Sequence, residues 1–136
     1  MTQEFRALIV DDEAAVRDLT SRALSRRGFV CSVAQDGREA LDLLAQQARF
    51  DVVISDFRMP NLNGHRLVMD VCRLPDRPVV ILVTGVIDPA LVGSVLNSGA
   101  DDILFKPIDY DVLAVKVRHL VETRERESQY ANSTIQ

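Results

Sequence analysis

Three carboxylates, one hydroxyl and one ammonium are the groups in this chain whose types could do chemistry together, and each stands at the end of an apolar run. Asp11 and Asp12 follow the run Phe5–Val10, and Asp56 follows Val52-Val53-Ile54-Ser55. Thr84 follows the run 79–83, and Lys106, directly before Pro107, follows Ile103-Leu104-Phe105. A β-branched run without polar alternation reads as a strand buried on both faces, as in a parallel sheet. Met59-Pro60 marks a loop soon after Asp56, which places Asp56 at the carboxyl end of a central strand, where open α/β sheets bind their ligands. Three carboxylates on one rim would repel one another unless a cation sat among them. Oxygen donors without histidine or cysteine suit Mg²⁺, which bridges carboxylate to phosphate. An aspartate can itself act as the nucleophile in phosphoryl transfer and form an acyl phosphate. An ammonium and a hydroxyl on the same rim would hold the remaining phosphoryl oxygens.

Each group alone has a plainer reading. Asp11-Asp12-Glu13 suits the start of a helix, with acids at its positive end. Thr84 alone is a strand residue and Lys106 a solvated surface lysine. Asp56 differs, because a carboxylate that closes an apolar central strand needs a partner.

The elements that would position these groups alternate. After the first strand, Val16, Leu19, Ala23 and Leu24 form a helical stripe that Gly28 closes. Phe29–Ala34 reads as a strand, Asp36-Gly37 as a turn and helix start, and Ala40, Leu41, Leu44 and Ala48 as the next stripe. The central strand follows, then a loop through Asn61-Leu62-Asn63-Gly64 and a helix carrying Leu67, Val68 and Val71 on to Pro75. A fourth strand over 79–83 precedes a helix that starts at Asp88-Pro89 and stops near Gly99. A fifth strand over 101–105 precedes a last helix from Asp109, with room for a charged extension through ETRERESQY and a loose polar stretch from Tyr130. Five β-α repeats with short, right-handed connections predict an α/β domain with a parallel sheet covered on both faces.

Composition narrows the class. With 136 residues, 47% hydrophobic and 26% charged, the chain has the length and balance of one globular domain. A net charge of -4 gives no reason to expect nucleic acid. No apolar run approaches the roughly 20 residues of a membrane span, and the acids near the N-terminus do not suit a signal peptide, so a cytoplasmic protein is expected. Cys31 and Cys72 are isolated and read as buried free thiols. His65 and His119 read as surface residues, and Met59 and Met69 as ordinary packing. Only Lys106 and Lys116 are lysines among sixteen basic residues, so an ammonium before Pro107 stands out against a background of guanidinium.

The segments LIVDDE, VVISDFRMPNLNG, ILVTG and ADDILFKP together resemble, in order and spacing, the receiver domain of bacterial two-component response regulators. The resemblance spans residues 5–121. It implies a flavodoxin-like, doubly wound (βα)5 fold with strand order 2-1-3-4-5, the order of the chemotaxis response regulator. It implies Asp56 as phosphoacceptor, served by a sensor histidine kinase or phosphotransfer protein. Asp12 would bind Mg²⁺ directly and Asp11 mainly through water, with the backbone carbonyl of Arg58 as a further ligand. Lys106 would pair with Asp56 or its phosphoryl group, Thr84 would hydrogen-bond a phosphoryl oxygen, and the Lys106–Pro107 bond would be cis, as X-Pro bonds allow. The receiver would occupy residues 1–127, with 128–136 as a polar tail or the start of a linker to a C-terminal output domain in a longer parent chain. The face made by the fourth helix, fifth strand and fifth helix would serve partner binding or a homodimer. No direct contact of this domain with nucleic acid or membrane is implied.

Two departures from the family pattern matter. Three residues before Lys106, where relatives carry a switching aromatic coupled to the Thr84 position, this chain has Ile103, and Phe105 is expected on the opposite face of the strand. Arg58 stands at a position that in relatives tunes aspartyl-phosphate hydrolysis. The fourth helix carries no charge between Asp88 and Asp101 and has Gly93 in its middle, which predicts a weakly held helix with an apolar outer face. Three other functions compete with the receiver reading. A haloacid-dehalogenase-type phosphatase needs a second acid two residues after its nucleophile, where Arg58 stands. A flavin module needs a phosphate-cradling loop after the first strand. A degenerate receiver that only binds partners would not need the full rim.

Overall fold

The structure, a computed structural model, describes residues 4–46, 49–58, 63–85 and 88–134, with side chains as far as residue 130. Its elements run β1 (Phe5–Val10), α1 (Ala14–Ser25), β2 (Phe29–Ala34), α2 (Gly37–Gln46), β3 (Val52–Asp56), α3 (Gly64–Cys72), β4 (Val79–Thr84), α4 (Pro89–Asn97), β5 (Asp102–Phe105) and α5 (Tyr110–Thr134). The strands form one sheet in the order β2-β1-β3-β4-β5, parallel throughout.

The strands carry apolar residues at odd and even positions alike because both faces of the sheet are covered. Ile9, Ile54 and Ile81 point to one face and pack with Leu24 of α1 and Leu113 and Val117 of α5. Leu8, Val53 and Leu82 point to the other and pack with Ala40 of α2, Val68 of α3 and Val95 of α4. Every residue of β3 and β4 is buried.

Short polar residues begin the helices. Asp36 Oδ1 accepts the Glu39 amide at 2.8 Å, Asn63 Oδ1 the Arg66 amide at 2.9 Å, Asp88 Oδ1 the Ala90 amide at 3.0 Å, and Asp109 Oδ1 the Asp111 amide at 3.0 Å. Each satisfies an amide that the helix itself leaves without a partner. Gly28 ends α1 at φ +88°, a left-handed conformation that glycine adopts without steric penalty.

Two boundaries differ from the sequence reading. Helix α3 stops at Cys72 instead of reaching Pro75, because residues 74–78 turn into β4 through Asp76, at φ +52°. Helix α5 runs through to Thr134 and takes in the stretch from Tyr130 that reads as loose. Its middle is fastened at the amino edge of the sheet. Arg124 Nη2 reaches Asp101 Oδ1 at 2.9 Å, and its Nη1 donates to the Arg77 carbonyl at 3.2 Å. Asp101 also pairs with Arg77 at 3.1 Å and accepts the Val80 amide at 2.8 Å, so one carboxylate joins β4, the start of β5 and α5.

Two glycines of the upper half give opposite expectations. A Cβ on Gly64 would lie 2.5 Å from the Asp56 carbonyl oxygen and 2.8 Å from the Phe57 Cα, so the start of α3 can approach β3 only without a side chain. A Cβ on Gly93 would meet nothing within 4 Å. Gly64→Ala is expected to destabilise the domain by about 1–3 kcal/mol through overpacking, and Gly93→Ala to stabilise it by about 0.5–1 kcal/mol through helix propensity. Urea unfolding midpoints of both variants against the parent chain check the pair.

Candidate functional site

Register alone assembles the site. Val10 is aligned with Ser55, so the next residues along the two strands, Asp11 and Asp56, emerge side by side where the order of the sheet reverses. Asp56 is aligned with Val83 and Thr84 with Phe105, which carries Thr84 and Lys106 to the same rim. One carboxylate oxygen from each of Asp11, Asp12 and Asp56 lies within 4.8 Å of the others. Lys106 Nζ stands 3.4 Å from Asp56 Oδ1 and 3.9 Å from Asp11 Oδ2. Asp56, Arg58, Thr84, Gly85 and Lys106 line an open cleft of about 390 Å³ beside this group.

The surroundings hold these side chains in place. Asp56 Oδ1 accepts the Phe57 amide at 2.9 Å, and the Asp56 carbonyl accepts the Ser55 hydroxyl at 2.9 Å. Asp11 Oδ1 accepts the Glu13 amide at 2.9 Å, and Arg17 Nη1 donates to the Asp11 carbonyl at 2.8 Å. The residue that begins α1, Glu13, makes no side-chain cap of its own.

Charge is crowded as the residue types suggest. Burial raises the Asp11 pKa to about 6, with the Asp56 charge adding to it and the Glu13 amide and Lys106 opposing. Burial likewise raises the Asp56 carboxyl above its ordinary value, against the pull of Lys106 and the Phe57 amide. For Lys106, burial works against the ammonium, but the charges of Asp56 and Asp11 outweigh it and its pKa is raised. Two buried carboxylates with raised pKa values and an exposed third, with oxygen donors only, fit a hard divalent cation.

Of the residues singled out from the sequence, Asp11, Asp12, Asp56, Thr84 and Lys106 converge here, and the exposed Arg58 lines the cleft. The Lys106–Pro107 bond is cis. Ile103 lies away from the rim, aligned with Leu82 and packed in the core beneath. The expectation for Phe105 is corrected. Residues two apart in a strand share a face, so Phe105 lies on the side of Ile103, and it is aligned with Thr84 and 40% exposed. His65 is corrected as well, since it is half-buried and bonded to Ser98 rather than a bare surface residue. The sequence reading also missed Arg17, which bonds the Asp11 carbonyl, and Gly64, which bonds the Phe57 carbonyl and approaches that of Asp56. For Gly64 the Asn63-Gly64 pair was the available signal, whereas nothing in the spacing marked Arg17.

An open α/β sheet with an acidic pocket, a lysine and a threonine at its carboxyl edge is the architecture of a signalling receiver. The sequence model of the response regulator receiver domain matches residues 7–118. The chain is 40% identical over 122 residues to the response regulator MprA of Mycolicibacterium vanbaalenii, covering 85% of this chain and 50% of that protein. It is 37% identical over 114 residues to the probable transcriptional regulator ycf27 of Guillardia theta, covering 83% and 44%. Among solved structures it resembles a CheY-like receiver domain protein from Methanospirillum hungatei, with TM-score 0.86, 28% identity and 92% and 99% coverage. It also resembles the chemotaxis response regulator CheY4 of Vibrio cholerae, with TM-score 0.77, 32% identity and 88% and 99% coverage. The chain belongs to the response regulator receiver domain family. It is thus a domain of two-component, phosphorylation-based signalling, a class of switches and not of turnover enzymes. It spans about half the length of these curated relatives.

The raised Asp11 pKa fixes the sign of a pH dependence. A carboxyl that binds its proton more tightly when folded contributes stability below its unfolded value, and that contribution is lost as pH rises toward about 6. Metal-free protein should therefore lose stability on the order of 2 kcal/mol from this group between pH 4 and pH 7. Asp11→Asn should flatten that slope and be the more stable form at pH 7, as urea titrations at both pH values in the presence of a chelator will show.

Proposed function

We propose that Asp56 is the phosphoacceptor of a switch charged by a sensor histidine kinase or a phosphotransfer protein. A carboxylate oxygen of Asp56 attacks the phosphorus of a phosphohistidine. The O–P bond forms as the P–N bond breaks, and the imidazole leaves with the electron pair and takes up a proton. The observation that carries this reading is the ion pair between Lys106 and Asp56 at 3.4 Å, beside the carboxylates of Asp11 and Asp12 and open to the cleft under Thr84. Asp11, Asp12 and Asp56, with the backbone carbonyl of Arg58, would hold Mg²⁺, which when bound neutralises charge between carboxylate and phosphoryl oxygens. Lys106 then shifts from the carboxylate to a phosphoryl oxygen as a charge-assisted donor, and the Thr84 hydroxyl donates to another.

The new charge is read on the face of α4, β5 and α5. Leu96, Phe105, Val112 and Val115 are exposed there, and Lys116 pairs with Asp102 at 2.7 Å. This face would bind a partner or a second copy, with affinity shifted only as far as the two states differ in their contacts. A haloacid-dehalogenase-type phosphatase finds no support, since the position of its second acid is Arg58.

Intact mass after incubation with acetyl phosphate tests the assignment. One phosphoryl group should be gained with Mg²⁺ present, and none with chelator or in Asp56→Asn. A gain that persists in Asp56→Asn would move the acceptor elsewhere.

A further inference from the structure

Helix α4 is held unevenly. Val95 is its only buried residue, Leu91 and Val92 are half-buried, and Pro89 and Ala90 are exposed. It carries no charged side chain, and among the described residues the Asp88 carboxylate that begins it bonds to the Ala90 amide of the helix itself. Among the described residues, one side-chain hydrogen bond ties this helix and its cap to another element: His65 Nε2 to Ser98 Oγ, at 3.0 Å. Ser98 already donates its hydroxyl proton to the Ser94 carbonyl at 2.9 Å, so the bond requires the Nε2–H of His65 to donate to the serine oxygen. Directly after it, Gly99, at φ +115°, lies so close to α3 that a Cβ would fall 2.7 Å from Cys72 Sγ. His65 and Cys72 are seven residues apart on one face of α3, and both meet the carboxyl end of α4.

We infer that His65 is a positioning residue that pins the carboxyl end of α4 to α3 and makes that end the pivot of the helix. The amino end, which follows the Thr84-Gly85 side of the cleft, is the end left free to move. The pin starts at the site itself. His65 follows Gly64, whose amide donates to the Phe57 carbonyl at 2.8 Å and whose Cα abuts the carbonyl of Asp56. A change of load on Asp56 therefore reaches Ser98 through two residues of α3, a coupling that rests on the phosphoacceptor reading above.

Hydrogen exchange of the unphosphorylated protein tests the pin without that reading. His65→Ala and Ser98→Ala should each speed exchange across residues 89–98 by about three- to tenfold, as expected for one lost hydrogen bond, and leave α1 and α5 unchanged. His65→Gln, which keeps a donor at a similar reach, should restore most of the protection, and the double alanine variant should exchange no faster than either single one. Unchanged exchange in α4, equal acceleration in every helix, or no rescue by glutamine would each overturn the pin. The coupling has its own arm. With acetyl phosphate and Mg²⁺, His65→Ala should gain the same mass as the parent chain but lose at least half of the change in α4 exchange that phosphorylation produces in the parent. An undiminished change in the variant overturns the coupling. Absence of any mass gain in the parent chain counts against the phosphoacceptor reading instead, and with it the coupling, while the pin stands on the first arm.

Discussion

Two buried carboxylates set side by side are the constraint on which the rest of the structure depends. Parallel pairing of β1 with β3 leaves Asp11 and Asp56 no other place to emerge, and a slip of one residue would exchange the side chains that pack in the two cores. The resulting repulsion is met by one ammonium, which the end of β5 supplies. That single cation does not balance three acids, so the rim keeps an excess of negative charge that a divalent cation or a proton relieves. The instability is local, and the core below it absorbs the cost.

The opposite edge of the sheet is built in the contrary sense. There Asp101 is matched by Arg77 and Arg124 and by the Val80 amide, and Arg49 lies near both Asp51 and Glu125. Charges are paired with guanidinium groups that sit in fixed forks. One end of the domain is thus satisfied and stationary, and the other is left responsive. The scarcity of lysine fits this division, since the cation at the rim is an ammonium shared between Asp56 and Asp11, whereas those at the opposite edge are guanidinium groups.

Much of this was legible in the sequence, because apolar runs that end in acids leave few folds to choose from. Val52-Val53-Ile54-Ser55-Asp56 specifies strand, depth and edge at once, and the β-α alternation specifies the rest of the sheet. What could not be read depends on contacts between elements distant in the chain. The histidine at 65 looked like a solvated residue because its partner lies 33 positions away on another helix. Arg124 looked like part of a charged extension until Asp101 came within reach. Phe105 needs no distant contact to be placed: one residue, Leu104, separates it from Ile103, so strand alternation puts both on the same face. Its alignment with Thr84 puts the one aromatic of that strand level with that residue on the neighbouring strand.

The length of α5 carries a mechanical consequence. A helix of 25 residues at 1.5 Å each is roughly 37 Å long, and from Arg126 onward its described side chains are exposed. The Arg124 contacts then act as a fulcrum. Inside it lies the half that packs on α1 and β4, and outside it a helical segment about 15 Å long. A tilt of a few degrees, too small to disturb the packing at Val117, would sweep the outer tip through about an ångström. A partner fastened to that segment would register a tilt of α5 as displacement, without any change in the surface that it touches.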